Sequence, residues 1–265
     1  MAVQVHPTAV VDKRANLDQD IVIGPYSIIG PDVVLGSGTT VGPHVVIEGK
    51  TIIGKKNTIF QFASLGGPPQ HLQFKGEDVR LEIGDGNVFR EYVNINLGTI
   101  QGRGFTKIGN NNFIMSQVHI GHDCQIGNNV TIATGAGLAG HVVVEDHVFI
   151  GGITGVSQRV RIGTYAYIGG CTGIGRDVPP YTLGRGANAI SIKGINVIGL
   201  QRNGFPEETI LALRRAFRTV FLSDHTVQEG CDIAIAQFGS TPEVAYFISF
   251  IRESKQGIAS PNARG

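Results

Sequence analysis

The chain repeats aliphatic side chains at a spacing of six residues over most of its length. Every sixth residue from Val11 to Leu65 is valine, leucine or isoleucine. The same spacing returns over residues 83–95 and again from Ile108 to Ile174. An α-helix repeats near every 3.6 residues and a strand every two, so neither element explains this period. The pattern predicts hexapeptide repeats stacked into a solenoid.

The period of six is typical of a triangular prism. Each hexapeptide forms one short strand and one corner, and three hexapeptides close a coil. The aliphatic side chain points inward and packs on its equivalents in the coils above and below, with parallel strands about 4.8 Å apart. Glycine, asparagine and aspartate recur between the aliphatic positions and suit corners that need positive φ. We therefore predict a mainly β protein, a parallel β-helix.

Two segments break the register and are predicted to be loops extruded from the corners. Residues 66–82 contain two prolines and several charges, and residues 96–107 contain three glycines. Loops on a regular scaffold often carry the binding residues.

The period changes again near the C-terminus. Pro179-Pro180 ends the repeats, and residues 181–205 are predicted to be irregular and extended. Helices are predicted from Pro206, over Thr226–Phe238, and from Thr241 to about Ser254, on proline, acidic and capping signals. The predicted domains are a β-helix over residues 1–190 and an α-helical subdomain over residues 191–265.

Composition narrows the class of protein. The chain has 22 basic and 21 acidic residues and a net charge of +1, so a nucleic-acid partner is not expected. Three cysteines favour free thiols in a reducing compartment. The sequence offers neither a signal peptide nor an apolar run long enough to cross a bilayer. These features predict a soluble cytoplasmic protein.

The strongest candidate chemistry is a pair of histidines, His119 and His122, in a short segment that also contains Asp123. One coil of eighteen residues beyond His122 is Gly140, so the imidazole is predicted to stack directly against this glycine. A general base beside a backbone N–H that binds an oxyanion is what acyl transfer to a hydroxyl requires. Asp123 can orient His122 only through a corner geometry, because adjacent strand residues point to opposite faces.

Three other interpretations stay open on the residues alone. His119, His122 and His141 invite a zinc site, but the spacing of the first two opposes convergence. A coenzyme A-dependent acetyltransferase on a solenoid of this kind and a structural solenoid without activity are the others. Four arginines form a candidate basic patch for an acidic partner or are scattered solvated charges: Arg159, Arg161, Arg176 and Arg185.

Several stretches over nearly the whole chain resemble the UDP-N-acetylglucosamine 3-O-acyltransferases, a family of hexapeptide-repeat enzymes. The matching stretches are His6-Pro-Thr-Ala9, Gln61-Phe-Ala-Ser64, Gly76-Glu77, Ile83-Gly-Asp85, His119-Ile-Gly-His-Asp-Cys124, Leu138-Ala-Gly-His141, Gly169-Gly-Cys171, Asp177-Val-Pro-Pro-Tyr181 and Gly199-Leu-Gln-Arg-Asn-Gly-Phe205. The resemblance implies a left-handed β-helix and the first step of lipid A biosynthesis. A 3-hydroxyacyl chain would pass from acyl carrier protein to the 3-hydroxyl of UDP-N-acetylglucosamine.

The resemblance also implies roles for individual residues. His122 would be the general base, Asp123 its assistant, the Gly140 amide the oxyanion donor, and His141 a residue that positions substrate. Transfer would be direct, with neither a covalent intermediate nor a metal or other cofactor. The family is a homotrimer with its active sites between adjacent prisms. Further substrate contacts would be Gln70, His71, His119, Gln158, Asn196 and Arg202, and Gly170 would set the acyl length.

The chain departs from the usual pattern of the family at several substrate positions. His71 replaces a common aspartate, Ser157 a third histidine, and Ile198 an acid. Gln73, the pair Asn96-Leu97, and Asn203 differ as well. The resemblance therefore leaves open an acceptor with a 3-amino group or a different nucleotide sugar.

Overall fold

A computed structural model of the chain, which describes residues 3–261, is a three-sided left-handed β-helix followed by a small helical region. The hexapeptide prediction is confirmed, because strand after strand pairs in parallel with the strand eighteen residues away, as Gln4 does with Val22 and His119 with Gly137. The three faces are here called sheets A, B and C, in the order in which the chain enters them.

Each face is a stack of short strands. Sheet A contains β1 Gln4–Val5, β4 Val22–Ile23, β7 Thr40–Val41, β10 Thr58–Ile59, β13 Val88–Phe89, β16 Phe113–Ile114, β19 Thr131–Ile132, β22 Phe149–Ile150, β25 Tyr167–Ile168, β27 Thr182–Arg185 and β28 Ser191–Ile195. Sheet B contains β2 Val10–Val11, β5 Ile28–Ile29, β8 Val46–Ile47, β11 Ser64–Gly67, β14 Asn94–Asn96, β17 His119–Ile120, β20 Gly137–Leu138, β23 Gly155–Val156 and β26 Gly173–Ile174. Sheet C contains β3 Asn16–Leu17, β6 Val33–Leu35, β9 Lys50–Ile53, β12 Arg80–Ile83, β15 Phe105–Ile108, β18 Gln125–Ile126, β21 Val143–Val144 and β24 Arg161–Ile162.

The inward aliphatic positions form one continuous core. Ile29, Leu35, Ile47 and Leu138 are each no more than 1% exposed, as are their equivalents in most other coils. Phe89 occupies one of these inward positions and is fully buried. Because each coil buries its residues only against its neighbours, the core is a column whose geometry repeats and so fixes what lies at each corner.

The corners depend on left-handed backbone at residues other than glycine. His44 (φ 55°), Asp123 (φ 60°) and His141 (φ 65°) are examples from two different corners. This conformation is unfavourable for most L-residues. At these corners the N–H of the residue bonds to the coil below, as His44 N–H does to the Pro25 carbonyl and His141 N–H to the His122 carbonyl, both at 2.9 Å. The stacking therefore stabilises the turn.

Both predicted loops leave the prism at the corner between sheets B and C. The first runs between β11 and β12, over residues 68–79, and the second between β14 and β15, over residues 97–104. They are here called loop 1 and loop 2. Their placement at the B–C corner brings them to the same edge of the molecule as His122.

The C-terminal region adds four helices within the described residues: α1 Val197–Arg202, α2 Glu207–Phe221, α3 Val227–Phe238 and α4 Pro242–Arg252. The three predicted helices are confirmed, and Thr226 caps α3 through a capping box with Glu229. The prediction of an irregular segment over residues 181–205 was wrong. A hairpin of β27 and β28 extends sheet A there, and α1 follows, capped by Asn196.

The predicted domain boundary at residue 190 falls inside this hairpin, just before β28. The helices pack on the last coils through α2, which contacts both β28 and α3. Among residues 3–261 the helices are all too short or too polar to span a membrane.

Candidate active site

The B–C corner collects most of the predicted site residues. His122, Gly140 and Gln158 occupy equivalent positions in three successive coils, and Asp123, His141 and Arg159 occupy the next position in the same coils. The sequence-based stacking of His122 against Gly140 is therefore found in the structure.

His122 and Asp123 form a hydrogen-bonded pair. His122 Nδ1 lies 2.8 Å from Asp123 Oδ2, and both side chains are buried. The left-handed conformation of Asp123 supplies the corner geometry that the sequence required, since it turns the carboxylate back toward the preceding imidazole. With Nδ1–H donating to a carboxylate, His122 Nε2 is left as the basic nitrogen.

Loop 2 encloses the Asp123 carboxylate. The Thr99 hydroxyl donates to Oδ2 at 2.7 Å, and the Thr99 and Arg103 N–H groups donate to Oδ1 at 3.2 and 2.8 Å. Burial alone would raise the pKa of Asp123, but the hydrogen bonds from Thr99, His122 and Arg103 outweigh it and lower this pKa. The carboxylate is therefore held ionised, in the state that best orients and supports a protonated imidazole.

Gly140 lies flat against the His122 ring. A Cβ added at this glycine would fall 2.5 Å from His122 Cε1 and 2.6 Å from Nε2, closer than nonbonded atoms approach. Within residues 3–261 the Gly140 N–H donates to no protein acceptor. A base and a free N–H thus lie side by side because residue 140 has no side chain.

Two further histidines surround the His122 ring. His141 meets it edge-on at 5.0 Å between ring centroids, and His71 of loop 1 meets it edge-on at 5.4 Å. His71 Nδ1 is buried and has no hydrogen-bond partner among the described residues 3–261. Burial lowers the pKa of His141, and the nearby Arg159, His122 and Arg103 add to this effect while Asp123 opposes it. The ring is therefore more often neutral than an exposed histidine.

His122, Asp123 and His141 also have the composition of a metal site. Their ligand atoms all lie within 4.8 Å of one another. Asp123 already accepts bonds from Thr99, Arg103 and His122, so its oxygens are engaged by the protein. His119 does not join this group, which agrees with the spacing argument made from the sequence.

His119 instead lies on the outer face of sheet B. Its Nδ1 is 2.8 Å from Asn94 Oδ1, and burial lowers its pKa, with a smaller contribution from His122. Beyond it the outward positions of successive coils are Gly137, Gly155 and Gly173. They form the floor of an apolar cleft of about 600 Å³ next to Ala139, here called the glycine groove.

The remaining predicted contacts are divided among the corners. Gln70 is exposed on loop 1. Gly170 lies on the corner between sheets A and B, one coil above Gly152. Asn196 caps α1 and donates to the Tyr165 carbonyl at 3.0 Å, and Arg202 is exposed at the end of α1. One chain therefore does not bring these last three residues to His122.

Sequence reasoning missed Thr99, Arg103 and Asn96. It predicted the second loop but could not show that this loop folds back onto Asp123, because no period relates the loop to the coils. Asn96, noted only as a departure from the family, donates to the Pro68 carbonyl at 3.1 Å and so ties the root of loop 1 to sheet B.

Two family profiles match the chain. One, described as UDP-N-acetylglucosamine O-acyltransferase domain 2, matches residues 177–259. The other, the bacterial transferase hexapeptide repeat, matches residues 14–49 and 105–140. The first covers the helical region and the hairpin before it, and the second covers two stretches of the prism.

Relatives that match nearly the whole chain belong to the same family as the first profile. An acyl-[acyl-carrier-protein]–UDP-N-acetylglucosamine O-acyltransferase of Sulfurihydrogenibium is 55% identical over 97% of this chain and 94% of the relative. One from Polynucleobacter asymbioticus is 53% identical over 96% and 98%. The solved structure of LpxA from Acinetobacter baumannii superposes with a TM-score of 0.93 at 42% identity, covering 96% of this chain and 99% of the other. The Francisella novicida UDP-N-acetylglucosamine acyltransferase gives 0.94 at 37% identity, over 98% and 95%. The chain belongs to the UDP-N-acetylglucosamine O-acyltransferase family.

Proposed function

We propose that this protein transfers a 3-hydroxyacyl chain from acyl carrier protein to the 3-hydroxyl of UDP-N-acetylglucosamine, the first step of lipid A biosynthesis. The observation that carries the proposal is the His122 ring, oriented by Asp123 and packed on the free N–H of Gly140. The two reactants named by its relatives are a thioester and a sugar hydroxyl. The arrangement suits a general-base reaction between them.

The proposed step balances as follows. The sugar oxygen attacks the thioester carbonyl carbon while its proton passes to His122 Nε2. The Gly140 N–H donates to the resulting oxyanion, which is where preorganised donors contribute most to catalysis. The carbon–sulfur bond then breaks and His122 returns the proton to the leaving thiolate. Asp123 stays ionised and stabilises the imidazolium between these transfers.

The glycine groove is the proposed path of the acyl chain. It begins beside Ala139, next to Gly140, and Gly137 and Gly155 leave it open, since a Cβ at either would meet nothing within 4 Å. A bare, apolar floor suits a hydrocarbon. His119 lies at the same groove and is proposed to contact substrate there.

The proposal includes a homotrimer. His122 lies on the B–C corner, whereas Gly170 lies on the A–B corner and Arg202 on the helical region. A site that uses all three needs a corner from each of two adjacent copies. Size-exclusion chromatography with light scattering tests this part of the proposal, and a monomer that retains full activity would contradict it.

We propose a cytoplasmic reaction, because its carrier-bound donor and its nucleotide-sugar acceptor are both products of cytoplasmic metabolism. The proposed reaction uses no metal or other cofactor. Chelation by EDTA is expected to leave the rate unchanged. Loss of activity on chelation, restored by zinc, would instead assign His122, Asp123 and His141 to a metal.

The identity of the acceptor is the main alternative. His71, which contacts the His122 ring, stands where the family commonly has an aspartate, so a 3-amino sugar nucleotide is a second candidate. The test is a matrix of carrier proteins with several acyl lengths against UDP-N-acetylglucosamine and its 3-amino analogue. Product with the hydroxyl acceptor is expected. If only the 3-amino analogue is acylated, that sugar nucleotide is the acceptor. If no pairing gives product, the proposed function is rejected.

A further inference from the structure

His141 has a ring nitrogen that faces Asp123 without bonding to it. His141 Nδ1 lies 3.9 Å from Asp123 Oδ2, which is too long for a hydrogen bond. Within residues 3–261 the His141 side chain makes no hydrogen bond at all, although it is only 13% exposed. A nitrogen held beside a carboxylate at this distance leaves space for an atom that both groups bind.

The repeat is what brings the candidate ligands together. Asp123 and His141 occupy equivalent positions in successive coils, with left-handed backbone at φ 60° and 65°, and successive strands are about 4.8 Å apart. His122 Nδ1 reaches the same carboxylate oxygen at 2.8 Å. The ligand atoms of these three residues therefore lie within 4.8 Å of one another, on a backbone that the neighbouring coils fix.

These spacings are close to those of a zinc site. Bonds of about 2.0–2.2 Å from zinc to nitrogen and oxygen put the ligands of a tetrahedral ion about 3.4 Å apart. The two distances from Asp123 Oδ2, 2.8 Å to His122 and 3.9 Å to His141, fall on either side of this value. Two imidazoles and one carboxylate suit zinc, whereas magnesium and calcium prefer oxygen ligands. Zinc bound by three protein ligands keeps its fourth position for water.

Asp123 can bind a metal through Oδ2 without losing its contacts to loop 2. At Oδ2 the carboxylate accepts from the Thr99 hydroxyl and from His122 Nδ1, and at Oδ1 from the Thr99 and Arg103 N–H groups. A metal between the two imidazoles therefore competes only with the proton on His122 Nδ1. Thr99 and Arg103 would then orient the metal-bound carboxylate, as the outer partners of metal ligands do.

The ion can enter from solvent beside His141. This histidine lines an open cleft of about 530 Å³ at the B–C corner. Arg103 and Arg159 line the same cleft and oppose a cation, while the buried carboxylate of Asp123 attracts one. With one acidic ligand and two opposing cations, we expect reversible binding that is weaker than that of a structural site with four ligands.

We propose that Zn²⁺ binds reversibly to His122 Nδ1, Asp123 Oδ2 and His141 Nδ1 and thereby inhibits the enzyme. The ion replaces the proton on His122 Nδ1, and a proton from solvent is taken up at Nε2, so the imidazole stays neutral. Nε2 then carries a hydrogen and can no longer accept the proton of the sugar hydroxyl. The inhibition rests on the proposed function, because it requires Nε2 to be the base, whereas the binding rests on the three side chains alone.

A binding titration tests the site without turnover. Metal-free wild-type chain, His141→Gln and His147→Gln are titrated calorimetrically with zinc chloride. His147 is the matched control, because it is a histidine outside the cluster whose φ of 59° is close to the 65° of His141. Glutamine suits both positions, since Gln117 adopts the same backbone at φ 60°.

The wild-type chain and His147→Gln are expected to bind one zinc ion per chain at the cluster. His141→Gln is expected to bind it at least about a hundredfold more weakly, since losing even an outer partner of a metal ligand costs about ten- to a hundredfold. Equal zinc affinity in all three proteins would overturn the site. Magnesium binding as tight as zinc binding in the wild-type chain would also overturn it.

Cobalt in the wild-type chain gives a test that needs no variant. A tetrahedral site is expected to give Co²⁺ an intense visible absorption that zinc then displaces. The weak absorption of octahedral, mostly hydrated Co²⁺ would overturn the proposed ligand set.

The inhibition is measured as the rate of acyl transfer at rising zinc concentration, with magnesium chloride as the salt control. Zinc is expected to abolish transfer by the wild-type chain and by His147→Gln, and EDTA to restore it. In His141→Gln the zinc concentration for half-inhibition is expected to rise by the same factor as the dissociation constant. A full or increased rate at saturating zinc would overturn the inhibition. If the chain binds zinc through His141 but acylates no acceptor even without metal, the proposed function fails and the metal site stands.

Discussion

The A–B and B–C corners are built from the same period and the same backbone, yet they differ in chemistry. At the A–B corner four left-handed positions carry rings that stack in parallel, 5.1–5.2 Å apart: Tyr26, His44, Phe62 and Tyr92. This set is here called the aromatic ladder. At the B–C corner the corresponding left-handed positions hold Asp123, His141 and Arg159, no two of which are alike.

The comparison teaches that a repeating backbone supplies equivalent positions and that the side chains decide their use. In the ladder each ring stacks on another aromatic ring, so the gain is packing. At the B–C corner an acid, an imidazole and a glycine sit at neighbouring positions, and the two loops contact them through His71 and Thr99. A histidine is found at both corners, but among the histidines of residues 3–261 only His122 both hydrogen-bonds a carboxylate and has a free N–H beside its ring.

The sharpest test of the contrast exchanges one histidine at each corner for glutamine. His122→Gln removes the proposed base and is expected to lower kcat by about a thousandfold, within the range for general-base catalysis. His44→Gln changes an exposed ring between Tyr26 and Phe62 and is expected to leave kcat almost unchanged. Steady-state rates are measured with acylated acyl carrier protein as the donor. Thermal unfolding is measured for both variants.

Full activity in His122→Gln would contradict general-base catalysis by His122 but would not affect the family assignment. Equal losses in both variants, with normal unfolding, would show that the two corners are not functionally distinct.

The part of the site tested by this exchange was predictable because it obeys the period. Eighteen residues separate His122 from Gly140, and the coil length alone placed one against the other. The supports of Asp123 were not predictable, since Thr99 and Arg103 reach it from loop 2, whose path no repeat determines. Sequence reasoning therefore placed His122 against Gly140 and missed the residues that hold Asp123 in place.

The next largest effect is expected from a single added methyl group. Gly140→Ala places a Cβ against the His122 ring, which has to move, and a displacement near 1 Å at a reacting group costs about a hundredfold in rate. The free energy of unfolding is expected to fall by about 1–3 kcal/mol through overpacking. Activity assays and chemical denaturation measure the two effects.

Gly67→Ala is the matched control for this change. It also adds one methyl near the B–C corner, but the nearest atom, Glu48 Oε1, is 3.5 Å away, which is an ordinary contact. Its kcat is expected to stay within about twofold of the wild type. Normal activity in Gly140→Ala would mean that the His122 ring can move without loss of rate. The close packing of His122 on residue 140 would then not be needed for catalysis.

The fold was predictable to the same extent as the site, and for the same reason. Inward positions such as Leu35 and Ile120 follow from the period of six, and α3 follows from its Thr226 cap. The hairpin of β27 and β28 and the helix α1 lie where the period has ended. The pairing of this hairpin with sheet A depends on tertiary contacts, which local patterns do not encode.

The smallest expected effect concerns the aromatic ladder itself. Phe62→Asn removes one ring from between His44 and Tyr92, and asparagine accepts the left-handed backbone at φ 63° with little strain. The free energy of unfolding is expected to fall by about 1 kcal/mol, because the ring is 45% exposed and loses two stacked neighbours. Denaturation with urea measures this, and kcat/KM is expected to stay within about twofold. A large loss of activity with unchanged stability would contradict the division drawn between the corners, since the ladder would then belong to the working surface of the enzyme and not to its scaffold.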